Sequence, residues 1–299
     1  MKNLIYLLLA LPLLFTSCSN DESAAMSEET VEMNFSAKLP QLMGTRAAAS
    51  VPTVNKLYCA VFENGEEIST LRAAIDVDGS NLSFNPRLIK GRTYDIVFWA
   101  AMDGSYNVAD MTAITRNANV DEENFDAFTA TTEITVQNSE VINVTLSRVM
   151  AQLNVGVTEA DWTAVVNNFQ MCPTTMVVSL SGKKTFDALN GVATGNDEEI
   201  TYTLACSGND ITVNSTTYKS VAMCYVLPQA QKENFDIKYT IKDAYDEEIR
   251  SDVTINSVPL QANYKTNVVG GLLTGEITYL ISFDDSGYKT DDDHNKVIE

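Results

Sequence analysis

The sequence predicts a mainly β protein, made of two β-sandwich domains in tandem with one short helix inserted near residues 160–170. Three observations support this prediction. Apolar and polar residues alternate with a period of two along most of the chain, clusters of Gly, Asn, Asp and Ser separate the alternating stretches, and apolar residues follow helical spacing over one stretch. Many short strands separated by turns are typical of two packed antiparallel sheets.

The first predicted strand covers residues 31–39. Its apolar side chains fall on one side of an extended chain: Val31, Met33, Phe35, Ala37 and Leu39. Polar residues occupy the positions between them, so we expect one buried and one exposed face. The same alternation predicts later strands at 57–62, 94–100, 134–136, 141–146, 153–157, 175–180, 200–204, 211–213, 221–227, 235–241, 253–255 and 276–283.

The helix prediction covers residues 160–170. Trp162, Val165, Val166 and Phe169 follow the spacing i, i+3, i+4, i+7, which places them on one face of a helix. Trp99 ends an apolar strand pattern. Both tryptophans are therefore predicted to lie in the core rather than on an exposed platform for sugars.

Size and strand count suggest how the chain divides. About 280 residues after the N-terminal signal suffice for two domains of ordinary size. We assign residues 31–148 to an N-terminal sandwich and 149–299 to a C-terminal sandwich, which ends in an acidic tail over 284–299.

The N-terminus has the pattern of a cleavable secretory signal over residues 1–17. A basic residue, Lys2, precedes about a dozen apolar residues, and small residues precede Cys18. This run is shorter than the roughly 20 apolar residues that a membrane-spanning helix needs. We therefore expect the signal to be removed rather than to remain as an anchor.

The four residues that end this signal resemble the lipobox of bacterial lipoproteins. They read Phe15-Thr16-Ser17-Cys18, with Phe15 where the family usually has Leu. The resemblance implies that Cys18 is acylated and that the lipid anchors the protein in the outer membrane. Polar residues over 18–30 predict a flexible tether. The acidic patch directly after the cysteine, Ser19-Asn20-Asp21-Glu22, resembles the surface-export signal of Bacteroidota lipoproteins, which implies display at the cell surface.

The charge and the histidine content of the chain exclude several classes of function. The chain has 20 basic and 40 acidic residues; removing the signal takes away Lys2 and leaves 19 basic residues, a net charge of −21. Such an acidic chain lacks the basic face that nucleic acid requires. The single histidine, His294, excludes a Ser-His-Asp triad, a Cys-His pair and a multi-histidine metal site. We expect no enzymatic activity, metal, cofactor or small-molecule substrate.

Four cysteines remain after Cys18: Cys59, Cys172, Cys206 and Cys224. An even number in an exported protein permits two disulfides, in three pairings. Cys59 and Cys224 lie within apolar strand patterns, however, where free thiols can pack as small hydrophobic side chains. Both states stay open, and the absence of CxxC spacing argues against zinc.

Five segments, in order along the chain, resemble those of the fimbrillins of Bacteroidota. They are the lipobox at Cys18, the first strand with the following Gly44-Thr45-Arg46-Ala47, and residues 91–100, 146–154 and 264–274. The resemblance implies a type V pilin with two transthyretin-like β-sandwich domains. It also implies a trypsin-like protease that cuts between Arg46 and Ala47, releasing the lipid together with strand 31–39.

Subunits of this kind polymerise by strand exchange, so the implied partners are other fimbrial subunits. The implied donor strand comes from the C-terminal segment, where Ile277, Tyr279, Ile281 and Phe283 alternate suitably to replace the removed strand. A simpler interpretation makes 276–283 the last strand of its own sheet and Arg46 an ordinary loop residue. Another alternative is a glycan-binding surface lipoprotein that stays anchored. The motifs do not separate stalk, tip and anchor subunits.

Overall fold

The computed structural model describes residues 28–40, 54–77, 82–168 and 171–284. These residues form a mainly β structure with a single short α-helix, which confirms the predicted class. Every predicted strand overlaps an observed one, although most ends shift by one or more residues. The predicted strand 31–39 is interrupted at Met33, which divides it into two strands that pair with different neighbours. None of the helices in these ranges is long and apolar enough to cross a membrane.

The first part of the chain builds two main sheets around a hydrophobic core. Strands β3, β4, β5, β8, β11 and β13 make a six-stranded sheet, and β12, β2 and β6 make a three-stranded sheet in that order. Strands β1 and β7 pair separately. The bounds are β1 Thr30–Glu32, β2 Asn34–Lys38, β3 Lys56–Glu63, β4 Glu66–Glu67, β5 Ala73–Asp76, β6 Leu82–Phe84, β7 Arg87–Ile89, β8 Thr93–Ala101, β9 Tyr106–Asn107, β10 Ile114–Arg116, β11 Ala127–Thr135, β12 Val141–Thr145 and β13 Ser147–Arg148. Short 3-10 turns lie at Ser69–Leu71 and Glu122–Asn124.

The second part builds a five-stranded sheet, ordered β19-β20-β14-β23-β24, and a four-stranded sheet, ordered β18-β15-β21-β22. A second hydrophobic core draws its side chains from both sheets. The bounds are β14 Ala151–Thr158, β15 Thr175–Gly182, β16 Thr185–Asp187, β17 Val192–Thr194, β18 Glu198–Ala205, β19 Asp210–Val213, β20 Thr216–Val226, β21 Glu233–Lys242, β22 Glu248–Leu260, β23 Lys265–Gly271 and β24 Thr278–Asp284.

A small sheet joins the two parts of the chain. Its order is β17-β16-β10-β9, so strands from before and after Arg148 share one hydrogen-bonded ladder. A third hydrophobic cluster lies beside it and includes Trp99, Phe125 and Tyr225. Strand β8 therefore has side chains in two cores, Phe98 in one and Trp99 in the other, because successive side chains of a strand point to opposite faces.

Arg148 lies where the N-terminal strands give way to the C-terminal ones, and it forms a buried ion pair with Asp126. Its Nε and Nη2 donate to the two carboxylate oxygens at 2.7 and 2.8 Å, and both side chains are at most 3% exposed. The guanidinium also lies over the ring of Phe128, 4.7 Å from its centre. Burial raises the pKa of Asp126 while the bonds from Arg148 oppose that shift.

The predicted helix is shorter and less regular than its apolar spacing suggests. An α-helix, α1, covers Glu159–Thr163 and continues as a π-helical turn over Ala164–Asn168. The Thr158 hydroxyl caps it by accepting the backbone N–H of Asp161 at 3.1 Å. Val165 is buried and Trp162 partly buried against the C-terminal core, whereas Phe169 lies outside the described residues.

Candidate functional site

The first predicted strand occupies a central position that the sequence did not reveal. Strand β2 pairs parallel with β12, with Phe35 opposite Ile142, and antiparallel with β6, with Phe35 opposite Phe84. It is therefore the middle strand of its sheet. Removing β2 would separate β12 from β6 and leave a slot that is open to a replacement strand on both sides.

The side chains of β2 alternate as the sequence predicts. Phe35 and Ala37 of β2, and Met33 just before it, are 0–1% exposed and belong to the N-terminal core, while Val31 in β1 and Leu39 after β2 are partly buried against that core. Phe35 lies 6.2 Å from Phe84 and 5.9 Å from Phe98, measured between ring centres. These distances fall within the favourable range for aromatic pairs. The strand thus contributes central side chains to the N-terminal hydrophobic core.

The chain entering β2 is held by contacts at the surface. The carboxylate of Glu29 accepts from Lys90 Nζ at 3.0 Å, and that of Glu28 accepts from Arg92. The backbone N–H of Met33 donates to Pro86 at 3.0 Å. Exposed ion pairs of this kind contribute at most about 1 kcal/mol each. The attachment of this segment therefore comes mainly from strand pairing, of β1 with β7 and of β2 with β12 and β6.

The predicted donor segment forms the last strand of the C-terminal five-stranded sheet. Strand β24 pairs with β23 alone, with Ile281 opposite Val268 and Phe283 opposite Thr266, and it lies at the edge of the described sheet. Ile281 is 1% exposed, whereas Ile277 and Tyr279 are only partly buried. Within the single chain this segment is thus a strand of its own C-terminal sheet, as the simpler interpretation expects.

Three hydrogen bonds to one carboxylate hold the connection between β23 and β24. The Asp161 carboxylate accepts from the backbone N–H groups of Leu273 and Thr274 at 2.6 and 2.9 Å, and from the Thr274 hydroxyl at 2.5 Å. An acid in the first helical turn is an ordinary capping signal, so no local pattern indicates that Asp161 binds a partner 112 residues away.

Gly270 permits close approach of the two strands. An added Cβ at this position would lie 1.9 Å from the backbone oxygen of Thr278 and 2.7 Å from the Cα of Tyr279. No side chain fits such a space without moving the backbone of β24. The docking of β24 therefore depends on a glycine in the strand beside it.

Several of the predicted processing residues lie outside the described residues. These are the acylation site Cys18, the cleavage pair Arg46 and Ala47, and the signal and most of the tether before residue 28. The described chain ends at Pro40 after β2 and resumes at Val54, just before β3. Arg46 thus belongs to the connection that follows β2.

The four cysteines are all free thiols. Cys59 and Cys224 are fully buried, and burial raises the pKa of both. Burial and the nearby Cys172 raise the pKa of the half-buried Cys206 to about 12. No group of three or more His, Cys, Asp or Glu side chains suited to a metal ion occurs within the described ranges. Trp99 is fully buried and Trp162 partly buried, as predicted.

The chain belongs to a family of unknown function (DUF6562), whose model matches residues 23–299. Among curated proteins, no sequence matches it. A solved structure of a candidate polysaccharide-binding protein (DUF1812) from Bacteroides thetaiotaomicron is 9% identical, with a TM-score of 0.54, covering 89% of this chain and 100% of that one. A candidate adhesin from Bacteroides ovatus is 14% identical, with a TM-score of 0.53, covering 86% and 95%.

A further neighbour is the fimbrial anchor protein Mfa2 from Porphyromonas gingivalis, 12% identical with a TM-score of 0.47 over 85% of this chain and 98% of that one. The two Bacteroides neighbours, one adhesin-type and one of polysaccharide-binding type, confirm the resemblance found in the sequence motifs at the level of fold. At these identities the likeness describes fold alone.

Proposed function

We propose that this chain is a structural subunit or accessory component of type V-like fimbriae on the bacterial surface, where it supports adhesion. In this proposal it reaches the outer membrane as a lipoprotein acylated at Cys18 and assembles with other fimbrial subunits by strand exchange. The central position of β2 between β12 and β6 is the observation that supports this most strongly. The fold shared with a candidate adhesin agrees with a role at the cell surface.

The energetics of β2 explain why its loss would drive assembly. Met33 and Phe35 are fully buried, and exposing a side chain of this size costs about 1.5–3 kcal/mol. Ala37 and the partly buried Val31 and Leu39 add to this cost. The total is comparable to a domain's net stability of about 5–15 kcal/mol. A subunit without β2 would therefore bind a strand from another subunit strongly.

Strand β24 is suited to be that replacement. It has one hydrogen-bonded neighbour in its own sheet, whereas a strand placed between β12 and β6 has two. Ile281 of β24 is fully buried, while Tyr279 of β24 and Ile277 just before it are only partly buried. Moving into the slot of another subunit would pair both edges of the strand and bury more of its apolar face.

Proteolysis would start this exchange. A cut by a trypsin-like protease between Arg46 and Ala47 falls after β2 and before β3, so it frees β2 together with the tether and the acylated Cys18. One cut would then release the subunit from the membrane and open its slot. An anchor subunit would differ in keeping both the lipid and the strand.

Limited trypsin digestion of the unlipidated protein tests this proposal. We expect cleavage between Arg46 and Ala47, identified from the new N-terminus, while the remainder stays folded. The matched control is Arg46→Gln, which should keep β2 attached under the same conditions. Resistance of Arg46 to cutting would contradict the stalk-subunit mechanism and favour a permanently anchored lipoprotein. A glycan array would then test the binding of sugars.

A further inference from the structure

A cavity of about 270 Å³ lies between the N-terminal and C-terminal strands and belongs neither to the β2 slot nor to the β24 edge. Its walls are mostly aromatic and aliphatic, and the rings of Trp99, Tyr106, Phe186 and Tyr202 contribute to them. Strands β8, β9, β16 and β18 supply these rings. Concave, mainly apolar sites with a few polar groups are typical of small-molecule binding.

One wall contains a buried hydrogen-bond donor without an acceptor. Trp99 is 0% exposed, and its indole nitrogen has no hydrogen-bond partner among the described residues. Its ring is held against Tyr106 and Phe186, with ring centres 5.2 and 5.5 Å away. Leaving such a donor unpaired costs about 1–3 kcal/mol. Trp99 thus forms a fixed part of the cavity wall, packed between Tyr106 and Phe186.

Three basic residues line the cavity: Arg116, which pairs with the largely buried Glu122 at 2.9 Å, and two consecutive lysines whose partners are exposed. Lys183 and Lys184 both line it, with side chains 27% and 47% exposed. Their partners Asp197 and Glu198 are 65% and 59% exposed, at 3.2 and 2.8 Å from the two ammonium groups. Exposed ion pairs are weak, so a carboxylate arriving from solvent can replace these partners. In a chain of net charge −20, paired lysines beside an aromatic cavity favour an anionic ligand.

The volume limits the size of that ligand. A cavity of about 150 Å³ in another protein holds benzene, so 270 Å³ suits roughly a dozen non-hydrogen atoms. We propose that this cavity binds a small amphiphilic carboxylate, with its apolar body between the aromatic rings and its carboxylate at Lys183 and Lys184. The molecule is a ligand that the protein holds, not a substrate that it transforms. This site is independent of strand exchange.

Fluorescence titration with 3-phenylpropionate tests the proposal. The chain has two tryptophans, so the Trp162→Phe variant makes Trp99 the sole reporter. We expect a saturable change in Trp99 emission, and affinity for 3-phenylpropionate roughly tenfold higher than for the neutral 3-phenylpropanamide. Isothermal titration calorimetry provides an independent measurement of both affinities.

Two variants separate the roles of charge and volume. Lys183→Gln combined with Lys184→Gln should remove the preference for the carboxylate while binding of the amide stays unchanged; Lys242→Gln, which removes a lysine paired with Asp246 elsewhere, is the matched control. Ile200→Phe, which fills part of the cavity, should abolish binding of both probes. Absence of saturable binding, equal affinity for the two probes, or full binding in Ile200→Phe would overturn the proposal.

Discussion

Replacing Phe35 by Ala tests whether β2 is an integral part of the N-terminal core. The side chain is 1% exposed and lies within about 6 Å of Phe84 and Phe98. Truncating a fully buried Phe to Ala costs about 3–5 kcal/mol, and lost aromatic pairing moves the cost towards the upper end. We expect Phe35→Ala to lower the free energy of unfolding of the N-terminal sheets by about 4 kcal/mol.

Ser36→Ala is the matched control on the same strand. Ser36 is half-buried, and its position on the strand places its side chain on the opposite face from Phe35. Its backbone registers with Ser83 and Asn143 through pairing that the substitution leaves intact. We expect a change below about 0.5 kcal/mol, as for surface substitutions in general.

Equilibrium urea unfolding provides the assay. Trp99 reports on the N-terminal sheet from strand β8, so the measurement uses the Trp162→Phe background. If the substitution lowers the midpoint urea concentration but leaves the dependence of the unfolding free energy on urea unchanged, it has destabilised the native state without altering the denatured state. A loss below about 1 kcal/mol for Phe35→Ala, or equal losses for Phe35→Ala and Ser36→Ala, would refute the assignment of β2 to the core.

Three further predictions concern other parts of the fold. Gly270→Ala should loosen β24, because the added methyl overlaps the backbone of Thr278; faster amide exchange across β24 than in wild type would show this, and unchanged exchange would contradict it. Asp126→Asn should cost about 3–5 kcal/mol in urea unfolding by leaving the buried Arg148 charge uncompensated, whereas Asp246→Asn at an exposed pair should cost under about 1 kcal/mol. In protein lacking Cys18, a thiol reagent should label exposed Cys172 quickly, half-buried Cys206 more slowly, and buried Cys59 and Cys224 only after unfolding. Fast labelling of Cys59 or Cys224 in the folded protein would contradict their buried placement.

The strands that the sequence predicts well are those with one buried and one exposed face. Strand β2 is an example, because its buried residues Phe35 and Ala37 alternate with the polar residues Asn34, Ser36 and Lys38. The alternation of apolar and polar residues did not reveal strand β23, because both of its faces are buried. It lies between β14 and β24, and Thr266, Asn267, Val268 and Val269 are all buried in succession. A strand covered on both faces shows no alternation.

The arrangement of the candidate site could not be predicted because it depends on distant pairing. Strand β2 lies between β12 and β6 through ladders that join residue 35 to residues 142 and 84. No local pattern encodes that partnership. Likewise, Asp161 binds Leu273 and Thr274 across the C-terminal core, and Gly270 is required by the backbone of Thr278. The sequence located the strands, and the tertiary contacts determined which strand sits at the centre and which at the edge.

The molecular mass in solution after cleavage at Arg46 tests the central claim most directly. Size-exclusion chromatography with light scattering should show wild-type protein converting from monomer to multimers that grow with time after limited trypsin treatment. Protein ending at Gly275, which lacks β24, should be cut but stay monomeric because no strand is available for exchange. Cut wild-type protein that remains monomeric indefinitely, or multimers that form equally well without β24, would contradict assembly by exchange of β24 into the β2 slot.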